Sequence, residues 1–380
     1  PKGFVETNSK GERLVGKLNK SLYGLKQSGR MWYHTLHAFL LSQNFVNSLC
    51  DNCVYIKRVN DGIIILIIWV DDIIISASSV DLLDSIKNAL SDEFRMKDIG
   101  QLHWFLGINF ERNENSIKMT QSKYVEKILD KFNMSDCNSK CIPCDPSINK
   151  SFNTDSPLLD DPTLYREMVG SLIYIMTATR PDICFSVTKL SQKLSKPTQA
   201  DMNLCKYTLK YLKGTSQYGL EYTETDGIQL TGYCDSDWGG SEDRSSISGY
   251  CFRLGDTSSL ISWQSKRQHT VALSTCEAEY ISITCLVKES MYLKQLLSDM
   301  LGEAVGPVTL YTDNQGALEL TKNPVYHQRT KHIDIRYHYI RSQIDFNNIQ
   351  LYHVSSEDNI ADLFTKPATK LKLRKFQLCR

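Results

Sequence analysis

Apolar residues recur along the chain with two different periods, and these periods predict its helices and strands. Helical spacing runs through residues 29–45, 78–94 and much of 164–215, and again from Thr275 to about Met300. In the last third, three short β-rich segments precede that long helix, and strand and helix patterns alternate after it. Strands followed by β-α units predict an α/β layer in this part of the chain.

One segment breaks the usual separation of apolar and charged residues. Eight apolar residues end at Val70, two carboxylates follow at Asp71 and Asp72, and three isoleucines come next. The run is too short for a membrane span of roughly 20 residues. Its β-branched residues favour a hairpin with two buried strands and Asp-Asp at the turn. Because neighbouring carboxylates repel and Mg²⁺ takes carboxylate oxygens as ligands, the turn is either a metal site or a solvated acidic turn.

Length and composition narrow the class of protein. The chain has 380 residues, enough for two or three domains, and a formal net charge of +1, so contacts with nucleic acid must come from local patches. The sequence shows neither a signal peptide nor a membrane span. Residues 141–162 predict a long loop or linker. Among the 12 cysteines, the pairs Cys50/Cys53 and Cys141/Cys144 leave a four-thiolate zinc site as an alternative.

Two strands of the last third end in an acidic residue. Asp235 closes the segment TGYCD and Asp313 closes TLYTD, so each carboxylate lies on the same strand face as the tyrosine two residues earlier. Ligands of α/β sheets bind at the carboxyl ends of strands. We therefore expect the two carboxylates to converge on a cation, with Asp237 as the alternative to Asp235.

Two glutamates begin the long helix, and their spacing separates them. Glu277 completes a capping box with Ser274, and its helix face carries solvated residue types. Glu279 lies at i, i+4 and i+7 with Ile283 and Leu286, on the stripe expected to face the sheet. Burying a carboxylate is costly unless something binds it, so we favour Glu279 as a functional ligand.

A fourth acid lies near the end of the chain. Ser355 and Asp358 have the spacing of a second capping box, and Asp362 falls one turn later, in a predicted short helix. Any one such acid is more often a solvated carboxylate than a ligand. The shared placement of the four acids at strand ends and helix starts favours a common metal site.

Longer motifs occur along the whole chain in a fixed order. They include LNKSLYGLKQSGRMWY, IIWVDDIII and DIGQLHWFLGI, then YREMVGSLIYIMTATRPDICF, and finally GYCDSDWGG, STCEAEY, LYTDNQGAL and NIADLFTKP. In this order they resemble the C-terminal part of the Pol polyprotein of copia-type LTR retrotransposons. The resemblance implies a multidomain chain of α/β and α+β class. Residues 1–120 would form a partial reverse transcriptase palm, 121–226 a thumb/connection region, and 227–380 an RNase H-like α/β domain.

The resemblance also implies roles for individual residues. Asp71 and Asp72 would be palm carboxylates of the polymerase, and an Asp-Glu-Asp-Asp set would bind metal in the RNase H part: Asp235, Glu279, Asp313 and Asp362. The implied cofactor is Mg²⁺, two ions per active site, with Mn²⁺ as a substitute. A solvated surface is the alternative for the basic members of the set expected to contact nucleic acid: Gln27, Arg30, Lys266, Arg267, Gln268, Lys331 and Arg336.

The implied partners are an RNA–DNA hybrid, an RNA template with a DNA primer, and other Pol segments, with no membrane involved. The implied location is a cytoplasmic virus-like particle, with the nucleus as the alternative. The family's polymerase uses a third Asp in a block upstream of Gln27, so we expect polymerase activity in the full-length parent and none from this chain alone. A degenerate or co-opted fragment that binds nucleic acid without cutting it is the alternative function.

Overall fold

The structure of the chain is a computed structural model that describes residues 6–60, 62–145, 156–224, 227–240, 244–255, 259–322 and 334–379. It divides into two compact units. The first unit comprises Pro1–Asp98 with Leu296–Glu303, and the second comprises Ile99–Gln295 with Ala304–Arg380. Within the described ranges, no helix combines the length and apolar character needed to cross a membrane. The division into three domains that the resemblance implies stays a proposal.

The first unit contains a four-stranded antiparallel sheet in the order β1-β2-β3-β4. Its elements are α1 (Ser28–Ser42), β1 (Val46–Asn47), β2 (Val54–Val59), β3 (Gly62–Trp69), β4 (Asp72–Ala77) and α2 (Val80–Glu93). Leu36 and Leu40 of α1 pack with Ile64 and Leu66 of β3 in the core. Helix α2 begins after Ser79, whose hydroxyl accepts a hydrogen bond from a backbone N–H of the first turn, and both predicted helices are confirmed.

The second unit begins with a small sheet whose strands come from distant parts of the sequence. Its members are β5 (Trp104–Phe105), β6 (Ile108–Arg112), β7 (Ser116–Thr120) and β8 (Gly219–Thr223), in that order. Between β7 and β8 the chain forms α3 (Ser122–Lys131), α4 (Thr163–Ala178), α5 (Cys184–Ser191) and α6 (Gln199–Gly214). These helices share one apolar core. The predicted helices of this region are confirmed, whereas the pattern did not predict the sheet.

The last third of the chain contains a five-stranded sheet and the helices that connect and follow its strands. Its elements are β9 (Leu230–Asp237), β10 (Ile247–Leu254), β11 (Leu260–Arg267), α7 (Thr275–Leu301), β12 (Val308–Thr312), α8 (Gln315–Lys322), α9 (Asp334–Asp345), β13 (Ile349–His353), a 3-10 helix (Ile360–Phe364) and α10 (Lys370–Phe376). The strand order is β11-β10-β9-β12-β13. Strands β9, β10 and β11 are antiparallel, and β12 runs parallel to both β9 and β13. The mixed α/β architecture with several sheets confirms the predicted fold class.

A glycine at the centre of this sheet lets helix α7 approach it directly. A Cβ atom at Gly232 would lie 2.5 Å from the Phe252 ring, 2.8 Å from Leu310 and 3.0 Å from Leu286 of α7. These distances leave no room for a side chain, so the first half of α7 packs against the backbone of β9. The close packing sets the height of the α7 side chains above the strand ends.

Candidate active site

The two strand-end aspartates come together because β9 and β12 are parallel neighbours. Tyr311 pairs with Tyr233 and Thr312 pairs with Cys234 in the register. The next residues along the two strands are Asp313 and Asp235. The rings of Tyr233 and Tyr311 stack with centroids 5.1 Å apart, so both Tyr-x-Asp segments present the same face, as predicted.

Helix α7 adds Glu279 to this pair. Glu279 is buried with only 6% of its surface exposed, on the same stripe as the fully buried Ile283 and Leu286. Its Oε1 accepts a hydrogen bond from the Ser236 N–H at 3.2 Å, which ties the helix to the residue after Asp235. The predicted buried stripe is therefore confirmed for Glu279.

Glu277 is held at the helix start, although its surroundings differ from the prediction. Its N–H donates to Ser274 Oγ at 3.2 Å, as a capping box requires, but its own carboxylate accepts from the Leu273 N–H at 2.8 Å, one residue earlier than expected. The expectation of a solvated face is wrong for Glu277 and Thr284, which are both buried, whereas Lys288, further along the same face, is exposed as expected. The first turns of α7 are enclosed on more than one side.

Three carboxylates form a compact cluster at the carboxyl ends of the parallel strands. One oxygen from each of Asp235, Glu279 and Asp313 lies within 4.8 Å of the others. No other set of three or more His, Cys, Asp or Glu side chains in the described ranges meets this criterion, so the cysteine pairs form no comparable site there. Asp313 is further fixed by Ser356, whose hydroxyl donates to its Oδ2 at 2.7 Å.

The cluster is short of positive charge. Burial, reinforced by the charges of Asp235 and Asp313, raises the pKa of Glu279 to about 9. Burial also raises the pKa of Asp235 to about 6, although Lys366 and Thr365 act in the opposite direction. Glu279 Oε2 is buried and has no hydrogen-bond partner among the described residues. A buried carboxyl oxygen that lacks a partner and faces two other carboxylates is the kind of group that a cation stabilises.

Asp362 approaches this cluster without joining it. Its Oδ1 lies 2.7 Å from Lys366 Nζ, and its Oδ2 forms an ion pair with Lys372. Lys366 Nζ also lies 3.5 Å from Asp235 Oδ2. Burial lowers the pKa of Lys366, but the charges of Asp235 and Asp362 outweigh this effect and raise it overall. Asp362, the fourth predicted ligand, is therefore already neutralised by two ammonium groups.

The helix that carries Asp362 begins later than predicted. The predicted capping box at Ser355 and Asp358 is wrong, because the Ser355 hydroxyl donates to the Asp358 carboxylate within a turn. The helix is a 3-10 helix with Asn359 as its N-cap, whose side chain accepts from the Ala361 N–H at 3.1 Å. Asparagine is as good an N-cap as serine, and it stands directly before the apolar run.

One steric contact and two hydrogen bonds hold the 3-10 helix against the sheet. A Cβ atom at Gly249 of β10 would lie 2.7 Å from Phe364 Cβ and 2.9 Å from Thr365 Cγ2. Asn359 donates to the Cys234 carbonyl at 2.9 Å, and the Thr365 hydroxyl donates to Asp235 Oδ2. The backbone that carries Asp362 is thus fixed against β9 and β10.

The Asp-Asp segment of the first unit forms a tight hairpin turn. Trp69 pairs with Asp72, leaving Val70 and Asp71 as the two turn residues. Val70 has a φ of +57°, which is unusual for a β-branched residue, and its carbonyl accepts from the Trp32 indole at 2.6 Å. The prediction that both arms are buried is wrong, because β4 is an edge strand with no fully buried residue. Both carboxylates are exposed.

Comparisons with known proteins cover the whole chain. A family model described as reverse transcriptase (RNA-dependent DNA polymerase) matches residues 1–146. A putative transposon Ty5-1 protein of Saccharomyces cerevisiae is 31% identical over 76% of this chain and 93% of its own length. The retrovirus-related Pol polyprotein from transposon TNT 1-94 of Nicotiana tabacum is 39% identical over 100% of this chain. The chain belongs to the copia-type retrotransposon Pol family.

This Pol family chain spans only 29% of the length of the tobacco polyprotein. Among solved structures, a foamy viral protease-reverse transcriptase in complex with dsDNA is similar to it with a TM-score of 0.46 at 12% identity, covering 88% of this chain and 60% of that one.

The residues that the Pol family resemblance assigned to nucleic acid have different placements. Gln27 and Arg30 are exposed at the start of α1, and Lys266 and Arg267 are exposed at the end of β11. Gln268 is corrected: it is buried, and its amide nitrogen donates to Ser248 Oγ and the Ala278 carbonyl, so it joins β10 to α7. Lys331 lies outside the described residues, and Arg336 is half-buried on α9.

Sequence reasoning missed the residues that hold the carboxylates in place. Lys366 stands four residues after Asp362, a spacing typical of an ion pair on a helix, so this contact had a visible signal. Ser356 and Lys372 had none, because a serine in a loop and a lysine in the next helix contact the site only through the folded chain.

Proposed function

We propose that residues 227–380 hydrolyse the RNA strand of RNA–DNA hybrids, using divalent cations held by Asp235, Glu279 and Asp313. The single observation that carries the proposal is the carboxylate cluster, in which three oxygens lie within 4.8 Å of one another and a buried Glu279 oxygen lacks a partner among the residues that the structure describes. Membership of the copia-type Pol family supports the substrate class.

The donor set fits Mg²⁺, and Mn²⁺ as a substitute, because every ligand offered is a hard carboxylate oxygen. Asp235, Glu279 and Asp313 would hold one ion, and Asp362 with Asp235 would hold a second if Lys366 moves away. When bound, two such ions activate the attacking water and stabilise the leaving 3′ oxygen. No cysteine or histidine belongs to the described cluster, which argues against a zinc site of the structural type.

The chain's own residues would position the metal ligands and the substrate. The Ser236 N–H and the Ser356 hydroxyl each bind one carboxylate oxygen, so Glu279 and Asp313 keep a fixed orientation. Exposed Lys266 and Arg267 on β11 would contact phosphates, which position a duplex without reading its sequence. Recognition of the RNA strand would rest on its backbone and 2′-hydroxyl groups.

The first unit supports a second role within the full-length parent. Asp71 and Asp72 would hold Mg²⁺ for RNA-directed DNA synthesis on an RNA template with a DNA primer, together with other Pol segments. The exposed hairpin turn and its strained Val70 support this role, since strained backbone clusters at functional sites. We place this activity in a cytoplasmic virus-like particle.

The decisive experiment measures RNA cleavage in an RNA–DNA hybrid with Mg²⁺ for the purified chain. Asp313→Asn should abolish cleavage while the protein stays folded, because it removes one ligand charge at a half-exposed position. Asp345→Asn, at an exposed position at the end of α9, is the matched control and should cleave normally. Equal cleavage by both variants would refute the proposal.

One observation favours a second candidate, a fragment that binds nucleic acid without cutting it. Lys366 and Lys372 neutralise Asp362 with two ion pairs, as a site without metal would do. In that case the purified chain would bind the hybrid and leave the RNA intact at every Mg²⁺ concentration, and Asp313→Asn would change neither result.

A further inference from the structure

Lys366 lies between two of the carboxylates assigned to metal binding. Its Nζ is 2.7 Å from Asp362 Oδ1 and 3.5 Å from Asp235 Oδ2. Asp235 also belongs to the cluster with Glu279 and Asp313. The Lys366 ammonium group therefore lies beside the Asp235 carboxylate, which a divalent cation at the cluster would also use as a ligand.

The backbone on either side of Lys366 is firmly held. Its N–H donates to the Asp362 carbonyl at 3.1 Å, and the preceding Thr365 hydroxyl contacts both that carbonyl, at 3.3 Å, and Asp235 Oδ2. The close contact at Gly249 leaves this segment no room to shift toward β10. Although 44% of the Lys366 side chain is exposed, its starting point is fixed beside the cluster.

The two possible cation positions are therefore unequal. At Asp235, Glu279 and Asp313, a buried glutamate oxygen has no partner in the described chain, so an incoming ion breaks no contact between that oxygen and the protein. At Asp362, both carboxylate oxygens already have a lysine. A divalent ion there must first separate an ammonium group from the carboxylates that it neutralises.

We propose that Lys366 supplies the positive charge at the second cation position, so that this chain binds one divalent ion tightly and a second only by displacing that lysine. The inference rests on the proposed function and deepens it, because it sets the number and order of metal ions at the same site. Lys366 is a positioning residue in this account, since it acts through Asp235 and Asp362.

The test is a Mn²⁺ titration of the purified chain. Binding is measured by calorimetry and, independently, by the electron spin resonance signal of free Mn²⁺. The unsubstituted chain should bind one ion tightly. Lys366→Met should bind a second ion at least tenfold more tightly than the unsubstituted chain does, whereas Lys366→Arg should restore the one-ion behaviour. Lys375→Met is the matched control, because it removes a lysine that pairs with Asp358 at 2.7 Å, a carboxylate not assigned to metal binding, and should bind one ion.

The outcomes separate this inference from the proposed function. Two ions of equal affinity in the unsubstituted chain, or identical titrations for Lys366→Met and the unsubstituted chain, would overturn the role of Lys366. If Asp313→Asn still abolishes tight binding in the same series, the metal site itself survives that result. Absence of any Mn²⁺ binding would overturn both. Melting curves establish that each variant is folded, and Lys366→Gln, which also removes the charge, takes the place of the methionine variant should that variant fail to fold.

Discussion

Glu279→Gln is expected to abolish hybrid cleavage and to stabilise the metal-free protein. At a separation of 4.8 Å, two unit charges repel by roughly 3.5 kcal/mol if the effective dielectric constant is about 20. An ionised Glu279 faces two such neighbours, Asp235 and Asp313. The substitution keeps the size of the side chain and removes this repulsion together with the ligand charge.

The free energy of unfolding of the unsubstituted, metal-free protein should depend on pH through Glu279. The pKa of Glu279 is raised from 4.5 to about 9, so between these values the folded, metal-free protein binds a proton that the unfolded chain has released. Its free energy of unfolding should then fall as the pH rises, by up to roughly 1.4 kcal/mol per pH unit. This contribution is complete below pH 4.5 and is lost as the pH passes through about 9. Glu279→Gln removes the dependence.

The assay compares melting in EDTA at about pH 6 and about pH 8, then with millimolar Mg²⁺, and adds hybrid cleavage. In EDTA the variant should exceed the unsubstituted chain by more at the higher pH, and Mg²⁺ should stabilise only the unsubstituted chain. Glu277→Gln is the control, and it should cost less than about 1 kcal/mol because an amide oxygen still accepts from the Leu273 N–H. An inactive Glu277→Gln beside an active Glu279→Gln would refute the assignment of the two helix faces.

Three further substitutions test other parts of the structure. Val70→Gly should stabilise the first unit by up to about 1 kcal/mol in urea unfolding, because a valine in the left-handed region is strained. The control Val80→Gly, in the first turn of α2, should destabilise this unit by about 0.5–1 kcal/mol. A lower stability for both variants would contradict the strained turn. Gly249→Ala should cost about 1–3 kcal/mol, since its Cβ would meet Phe364, whereas Gly306→Ala, with open space around it, should be nearly neutral; equal melting temperatures would argue against the tight contact. Lys266→Ala should lower the salt dependence of hybrid binding by about one charge in a plot of log affinity against log salt, and an unchanged slope would remove Lys266 from the interface.

The sequence was sufficient to predict three of the four acids at the candidate site, because each has a position that follows from backbone geometry. Asp235 and Asp313 end strands of the same sheet, and Glu279 stands on the apolar stripe of a long helix. The environment of Asp362 could not be predicted, since Lys372 reaches it from a different helix with a long, flexible side chain.

Other elements were missed for reasons of packing and length. Strand β5 has only two residues and β6 and β7 have five each, too few for alternation to stand out, and their partner β8 comes after four intervening helices. Thr284 was taken for a solvated residue because its type is usually exposed, but its hydroxyl donates to the Tyr280 carbonyl, which allows burial inside the helix.

The parallel pairing of β9 and β12 also has a consequence for synthesis on the ribosome. Strand β9 forms its antiparallel contacts with β10 early, but its other edge stays open until all 27 residues of α7 and then β12 have been made. At ordinary translation rates this interval is on the order of seconds, during which an exposed strand edge is open to pairing with another nascent chain. Successive ribosomes on one message would bring such edges together, so the yield of correctly folded protein should depend on how closely the ribosomes follow one another.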